Sequence, residues 1–193
     1  MPSPLLSRVA PEAMDESVRA AYEKSHALQK SKSGDATFFE IGANAPEVLN
    51  WYFDSFYGKL FYGGRVDTRT KELLRYRLSM THGCAFCNKG NIEDAREAGV
   101  TEAQLANIMH EAHTAFSDRD RAVIQLASEM ALTNMNGQLT PALYESLRNH
   151  FDDGDIFELG LVAGILTGAA KLLFVFGLIE KEANCSIVPL ATE

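Results

Sequence analysis

Apolar side chains recur along this chain at intervals of three and four residues, the period of one helix face, and few stretches alternate as a strand would. Proline and glycine punctuate the pattern. Pro11 opens a helical stretch that runs to about Lys30, and the polar residues Ser31 to Asp35 break it. A short helical turn is expected from Thr37 to Gly42. Pro46 then starts an aromatic-rich helix carrying Trp51, Tyr52, Phe53, Phe56, Tyr57 and Phe61, which Gly63 and Gly64 end. Asp67 is a good N-cap for a helix from Thr68 to about Thr81, in which Leu73, Leu74, Arg77 and Leu78 mix apolar and charged positions. Gly83 breaks the chain, and a new helix starts near Cys84 and ends at Gly99. Thr101 with Gln104 forms a capping-box pattern, and Ser117 with Asp120 caps a helix carrying Val123, Leu126, Ala127 and Met130 at core spacing. Thr140 and Pro141 start a further helix, and Asp152 to Asp155 lead into a long apolar one. The tail from Asn184 reads as irregular, because Pro189 forbids helix there. The pattern predicts an all-α fold, with residues 1–193 as a single helical domain.

The segment from Leu159 to Leu178 is almost continuously apolar and long enough to span a bilayer. Lys171 falls in its middle, Gly160, Gly164, Gly168, Ala169 and Ala170 make it rich in small residues, and no basic flank marks one side. A helix apolar all round is equally suited to a protein interior. The expectation is a buried or subunit-interface helix and no membrane span.

Composition narrows the function. Hydrophobic residues make up 46% of the chain and charged residues 23%, an ordinary globular balance, and the formal net charge is -8. An acidic chain lacks the positive field that nucleic acid binding requires, so no nucleic acid partner is expected. No glycine-rich phosphate loop follows a strand, which leaves nucleotide binding unsupported. The cysteines are Cys84, Cys87 and Cys185. Met1-Pro2-Ser3-Pro4 shows no leader pattern, and an odd cysteine count without one reads as a cytoplasmic, reducing setting.

Cys84-Ala85-Phe86-Cys87 is the clearest chemical feature. A helix N-terminus offers unpaired N–H groups and partial positive charge that stabilise a thiolate. In such a pair the first cysteine is usually the more exposed, and the second lies one turn further in, close enough for a disulfide. One sulfur can attack an oxidant and the other resolve the product. Zinc has weaker support, because His82, Cys84 and Cys87 supply only three ligands from one short loop and no second ligand pair follows. Two inert buried cysteines are the plain alternative.

The segment Glu72-Leu-Leu-Arg-Tyr-Arg-Leu-Ser-Met-Thr-His-Gly-Cys84-Ala-Phe-Cys87-Asn-Lys-Gly-Asn91 resembles the core of the alkylhydroperoxidase D-like and carboxymuconolactone decarboxylase superfamily. Val66 to Glu72, Ala95 to Glu102 and Phe116 to Ala122 are similar too, and the family-like core spans about 46–134. The resemblance implies an all-helical bundle assembled as a homo-trimer or homo-hexamer. It implies Cys87 as the peroxidatic thiol, Cys84 as the resolving thiol facing the reductant, and Glu72 as proton acceptor. The family's relay histidine is replaced by Asn91, which can orient a group by hydrogen bonding but carries no proton at neutral pH. His82, two residues before Cys84, is a candidate substitute, and His110 and His113, one helical turn apart, are others.

The resulting expectation is a thiol-dependent peroxidase or disulfide oxidoreductase. It would act on a small hydroperoxide and be recharged by a thioredoxin-like or lipoyl reductant, with no cofactor and no metal. A cofactor-free lyase of the decarboxylase type and a non-catalytic oligomer with relic cysteines are the alternatives. Plainer readings exist for single residues. Glu72 can pair with Arg75 or Arg69 on a surface, the aromatic run can be core or interface, Lys171 can snorkel or pair with a carboxylate, and Cys185 is a bystander. Glu72-Leu73 and Glu158-Leu159 open two comparable apolar spans, a weak internal echo.

Overall fold

The computed structural model describes residues 4–30 and 36–179, so the expectations for Ser31 to Asp35, Cys185 and the tail from Asn184 lie outside the described residues. The elements are a 3-10 turn Pro11–Ala13, α1 (Glu16–Lys30), α2 (Thr37–Gly42), α3 (Pro46–Asn50), a π-helical segment Trp51–Phe61, α4 (Thr68–His82), α5 (Ala85–Glu97), α6 (Glu102–Ala106), α7 (Asp118–Glu129), α8 (Pro141–Arg148) and α9 (Asp153–Val175). There is no strand among the described residues.

The caps explain most boundaries. Asp67 accepts the Thr70 N–H, Thr101 and Gln104 close a capping box, as do Ser117 with Asp120 and Asp152 with Asp155, and Thr140 accepts the Leu143 N–H ahead of Pro141. Two expectations need correction. Pro11 opens only a 3-10 turn, and α1 starts later, where Asp15 Oδ1 accepts the Ser17 N–H at 3.0 Å. The aromatic helix is α-helical only to Asn50 and then widens to π geometry, closing with Tyr62 N–H on Tyr57 O at 2.9 Å. The wider winding brings residues five apart into register. Tyr52–Tyr57, Phe56–Phe61 and Tyr57–Tyr62 accordingly pack ring to ring at 5.3, 6.1 and 6.0 Å.

Helix α4 is the central element, packed against α5, α7 and α9. Its Leu74 and Leu78 join a core with Phe56, Phe61, Ala127, Leu147, Leu159 and Val162, whereas its Leu73 and Tyr76 join another with Ala95, Ile108, Phe116 and Ile124. A helix enclosed this way has no free face, so Lys71, Glu72 and Arg75 are buried as well. Buried charge requires a partner. Lys71 Nζ meets Glu158 Oε1 at 2.6 Å and Leu60 O at 2.7 Å, while Glu158 also accepts the Arg65 and Val66 N–H groups at 2.8 and 3.0 Å. The two glutamates of the sequence echo thus have different partners: Glu158 is taken by Lys71 and Glu72 by Arg75.

Helix α9 buries Ile156, Leu159, Val162, Ala163 and Ala170. Its other face stays open, with Phe157 73% and Val175 64% exposed and Leu161, Leu172 and Lys171 exposed beside them. The expectation of a buried helix therefore holds for one face within a single chain. By length and apolarity alone the helix could cross a membrane.

Candidate functional site

The CxxC lies at the corner between α4 and α5. Gly83 ends α4 in the left-handed region (φ 65°, ψ 42°), with its N–H on Ser79 O at 3.0 Å. Glycine adopts that conformation without the Cβ penalty, and the reversal delivers the next residue as the N-cap of α5. That residue is Cys84, extended at φ -86° and ψ 103°, and its Sγ accepts the Cys87 N–H at 3.1 Å. Cys84 and Cys87 are joined as a disulfide.

The exposure of the two cysteine residues is the opposite of the sequence expectation. Cys84 is 1% exposed, whereas Cys87 is half-buried. The N-cap residue is tucked into the α4–α5 corner, and Cys87 sits on the first turn of α5 beyond it. Solvent therefore reaches residue Cys87 more readily than Cys84 within the single chain.

Glu72 is 1% exposed, and its surface-pairing alternative is excluded. Arg75 holds it from the same helix, with Nε at 2.9 Å and Nη2 at 2.6 Å from Oε2. The same Nη2 meets Asp94 Oδ2 of α5 at 2.8 Å. The guanidinium also lies over the Phe61 ring at 5.0 Å and the Tyr57 ring at 6.0 Å, so the π-helical aromatics form its other wall. Burial pushes the Glu72 carboxyl up to about 7; Arg75 pulls the other way, and Asp94 and Glu97 add to the rise. Burial likewise raises Tyr52, which hydrogen-bonds Tyr57, well above its ordinary value.

His82 is buried at the end of α4, and its Nε2 accepts the Leu132 N–H at 3.1 Å. Burial lowers its pKa to about 4, so the ring is neutral at physiological pH with that lone pair engaged. Asn91 is half-buried one turn beyond Cys87, and Cys87, Asn91 and Asp94 follow at i, i+4 and i+7 along one stripe of α5. His110 and His113 correct a further expectation. They lie in exposed turns after α6, which ends at Ala106, and His113 Nδ1 accepts the Ala115 N–H at 3.1 Å. Lys171 is exposed on α9, away from this corner in sequence and element. No group of three or more metal-binding side chains converges among the described residues.

The sequence singles out Glu72 and the cysteines but misses Asp94 and the part Arg75 plays with it. The available signals were the i, i+3 spacing of Glu72 and Arg75 and the place of Asp94 on the Cys87 stripe. Neither shows that the two helices meet there.

Residues 46–129 match the sequence model of the Carboxymuconolactone decarboxylase family. The uncharacterized protein YdfG of Bacillus subtilis (strain 168) is 25% identical over 143 residues, which is 73% of this chain and 92% of that protein. A peroxidase-related protein from Ralstonia eutropha JMP134, described as an alkylhydroperoxidase AhpD core, superposes with a TM-score of 0.73 at 15% identity, over 95% of this chain and 94% of its own. The debrominase Bmp8, solved as a cysteine-to-alanine variant with 2,3,4-tribromopyrrole, superposes with a TM-score of 0.68 at 13% identity, over 94% and 95%. At these identities the two structures establish the shared fold.

Proposed function

We propose that the chain is a member of the alkylhydroperoxidase D-like and carboxymuconolactone decarboxylase superfamily and that it acts as a thiol-dependent oxidoreductase that reduces hydroperoxides through Cys87 and Cys84. The observation that carries this reading is the disulfide across the N-terminus of α5, with Cys87 the less buried of the two residues and a buried carboxyl of near-neutral pKa on the neighbouring helix.

In the reduced protein the Cys87 thiol gives its proton to the Glu72 carboxylate, directly or through water, and the thiolate attacks the terminal peroxide oxygen. The O–O bond breaks, Cys87 becomes a sulfenic acid, and the alcohol leaves with a proton. The Cys84 sulfur then attacks Cys87 Sγ, water leaves, and the disulfide forms. A dithiol reductant of thioredoxin-like or lipoyl type attacks Cys87 Sγ. Cys84 is then the leaving thiolate, stabilised by the Cys87 N–H that its sulfur already accepts. His82 takes no part in this scheme, since its ring is engaged and weakly basic. Asn91 is assigned to orienting a water or a thiol on the Cys87 stripe.

The reading includes a homo-oligomer in a reducing cytoplasm. The open face of α9, with Phe157, Leu161, Leu172 and Val175, supports subunit contact. The fold shared with a debrominase means that the scaffold alone does not select peroxide, so the substrate class rests on the test.

The test is a titration of free thiols before and after one equivalent of hydroperoxide per chain. The wild type should lose the Cys84 and Cys87 thiols together. Cys84→Ser should hold a sulfenic acid that dimedone traps. Peroxide consumption that survives Cys87→Ser rejects the proposal, and turnover of a carboxylated lactone by the doubly substituted protein would favour the lyase.

A further inference from the structure

One guanidinium nitrogen serves carboxylates from two helices. Arg75 Nη2 lies 2.6 Å from Glu72 Oε2 on its own helix and 2.8 Å from Asp94 Oδ2 on α5. Glu72 receives a second hydrogen bond, from Arg75 Nε at 2.9 Å, and so occupies two donors of the fork. The Phe61 and Tyr57 rings lie against the guanidinium. Arg75 is buried, Glu72 is closed to solvent, and the Asp94 side chain is 41% exposed.

We propose that Asp94 is a positioning residue for Glu72: by sharing the Arg75 guanidinium it fixes the buried carboxyl at the α4–α5 contact and makes it a better proton acceptor. The inference rests on the reading of Glu72 as the proton acceptor for the thiols.

The argument is one of charge. Two carboxylates against one cation leave one uncompensated negative charge at a poorly solvated contact. Protonating one carboxyl removes it, and the member further from water takes the proton at less cost, which is Glu72. When a thiol passes its proton to Glu72, the cluster of Glu72, Arg75 and Asp94 goes from a net charge of minus one to zero, and the thiolate carries the negative charge. Asp94 therefore makes Glu72 a better acceptor than Arg75 alone would leave it. An unshared Arg75 would hold the Glu72 carboxylate as a tight ion pair of low proton affinity.

The groups around Glu72 are consistent with this assignment. Its own helix contributes Arg75, α5 contributes Asp94 and Glu97, and the π-helical side contributes the Tyr57 and Tyr62 phenols. The charges that pack on α4 from α7 and α9 are committed elsewhere, Asp120 to Arg69, Arg119 to Asp67 and Thr70, and Glu158 to Lys71. The Asp94 side chain, partly open to solvent, also gives the cluster contact with water.

The test reads the Glu72 carboxyl directly. The full chain, labelled with carbon-13 at the glutamate carboxyls, is titrated by NMR, with Glu72→Gln assigning the signal. In Asp94→Asn the Glu72 midpoint should fall by about one unit, and Asp94→Glu should restore it in large part. Arg75→Lys should move it upward. A Glu72 midpoint that is the same in Asp94→Asn and the wild type overturns the proposal. So does a midpoint that rises. In a second arm the pH dependence of peroxide consumption is followed in the same proteins. A shifted Glu72 midpoint with no peroxide consumption in any of them sustains the Asp94 assignment while rejecting the peroxidase reading.

Discussion

Lys71 and Glu158 meet at 2.6 Å with the lysine closed to solvent, and this one ion pair ties the central helix α4 to the long apolar helix α9. Burial raises the proton affinity of Glu158, but the hydrogen bond from Lys71 and those from the Arg65 and Val66 amides outweigh it and hold the carboxyl below its ordinary range. The chain passes close overhead at Gly64, where an added Cβ would meet Glu158 Oε1, Leu60 O and Lys71 Nζ.

Lys71→Met should therefore destabilise the fold by about 3–5 kcal/mol, because it leaves a buried carboxylate without its cation. Adding Glu158→Leu should recover most of that loss, though not all, since the Arg65 and Val66 N–H groups then lose their acceptor. Urea unfolding of the two single variants and the double one measures the cycle. Additive losses would mean that the pair is not a unit.

Gly83 controls where the CxxC begins. Gly83→Ala puts a Cβ into left-handed backbone and should cost about 1–2 kcal/mol. The disulfide should also re-form more slowly, because the turn that makes Cys84 the N-cap is strained. Thermal unfolding and the rate of thiol loss under mild oxidation test both. Unchanged values would place no demand on the turn.

Two buried groups of opposite sign should shape stability between acid and neutral pH, alongside Glu158, Asp67 and Asp120, whose lowered proton affinities add to the loss on acidification. Glu72 has its pKa raised from 4.5 to about 7, so its favourable contribution is complete below 4.5 and lost as pH rises through about 7. His82 has its pKa lowered from 6.5 to about 4, so its contribution is present above 6.5 and lost as pH falls through about 4. Each swing is on the order of 3 kcal/mol. Glu72→Gln should flatten the decline toward neutral pH, and His82→Gln the loss on acidification. Unfolding midpoints across that range should separate the two limbs. A variant with the same pH profile as the wild type removes its group from the account.

After reduction, iodoacetamide should modify Cys87 before Cys84, since Cys84 is buried and Cys87 is half-buried. Peptide mapping at early times gives the order. Preferential labelling of Cys84 would contradict the exposures described above.

The open face of α9 should matter for assembly. Phe157→Asp and Val175→Asp place charge on that face while leaving the buried residues of the helix in place. Sedimentation of the wild type should give a multiple of the chain mass, and the substituted protein a smaller one. Equal masses would put the subunit contact elsewhere.

The helices themselves were legible in the sequence, because caps are local. Asp67, Thr101, Ser117, Thr140 and Asp152 each bond an amide within three residues, and short-range geometry fixes those starts. Gly83 and the CxxC spacing likewise placed two cysteines at a helix start, since turn and reach are properties of a few adjacent residues. The widening of the aromatic helix at Trp51 was not legible, because α and π winding use the same residue types and differ in packing. Only the tertiary structure decided which charges are buried. Nothing in the local pattern shows that Lys71, Glu72 and Arg75 are enclosed; that follows only when three other helices close around α4. The exposure of Cys87 over Cys84, the burial of His82 against the Leu132 amide and the meeting of Arg75 with Asp94 follow from that enclosure. They depend on contacts between segments far apart in sequence, which no local pattern encodes.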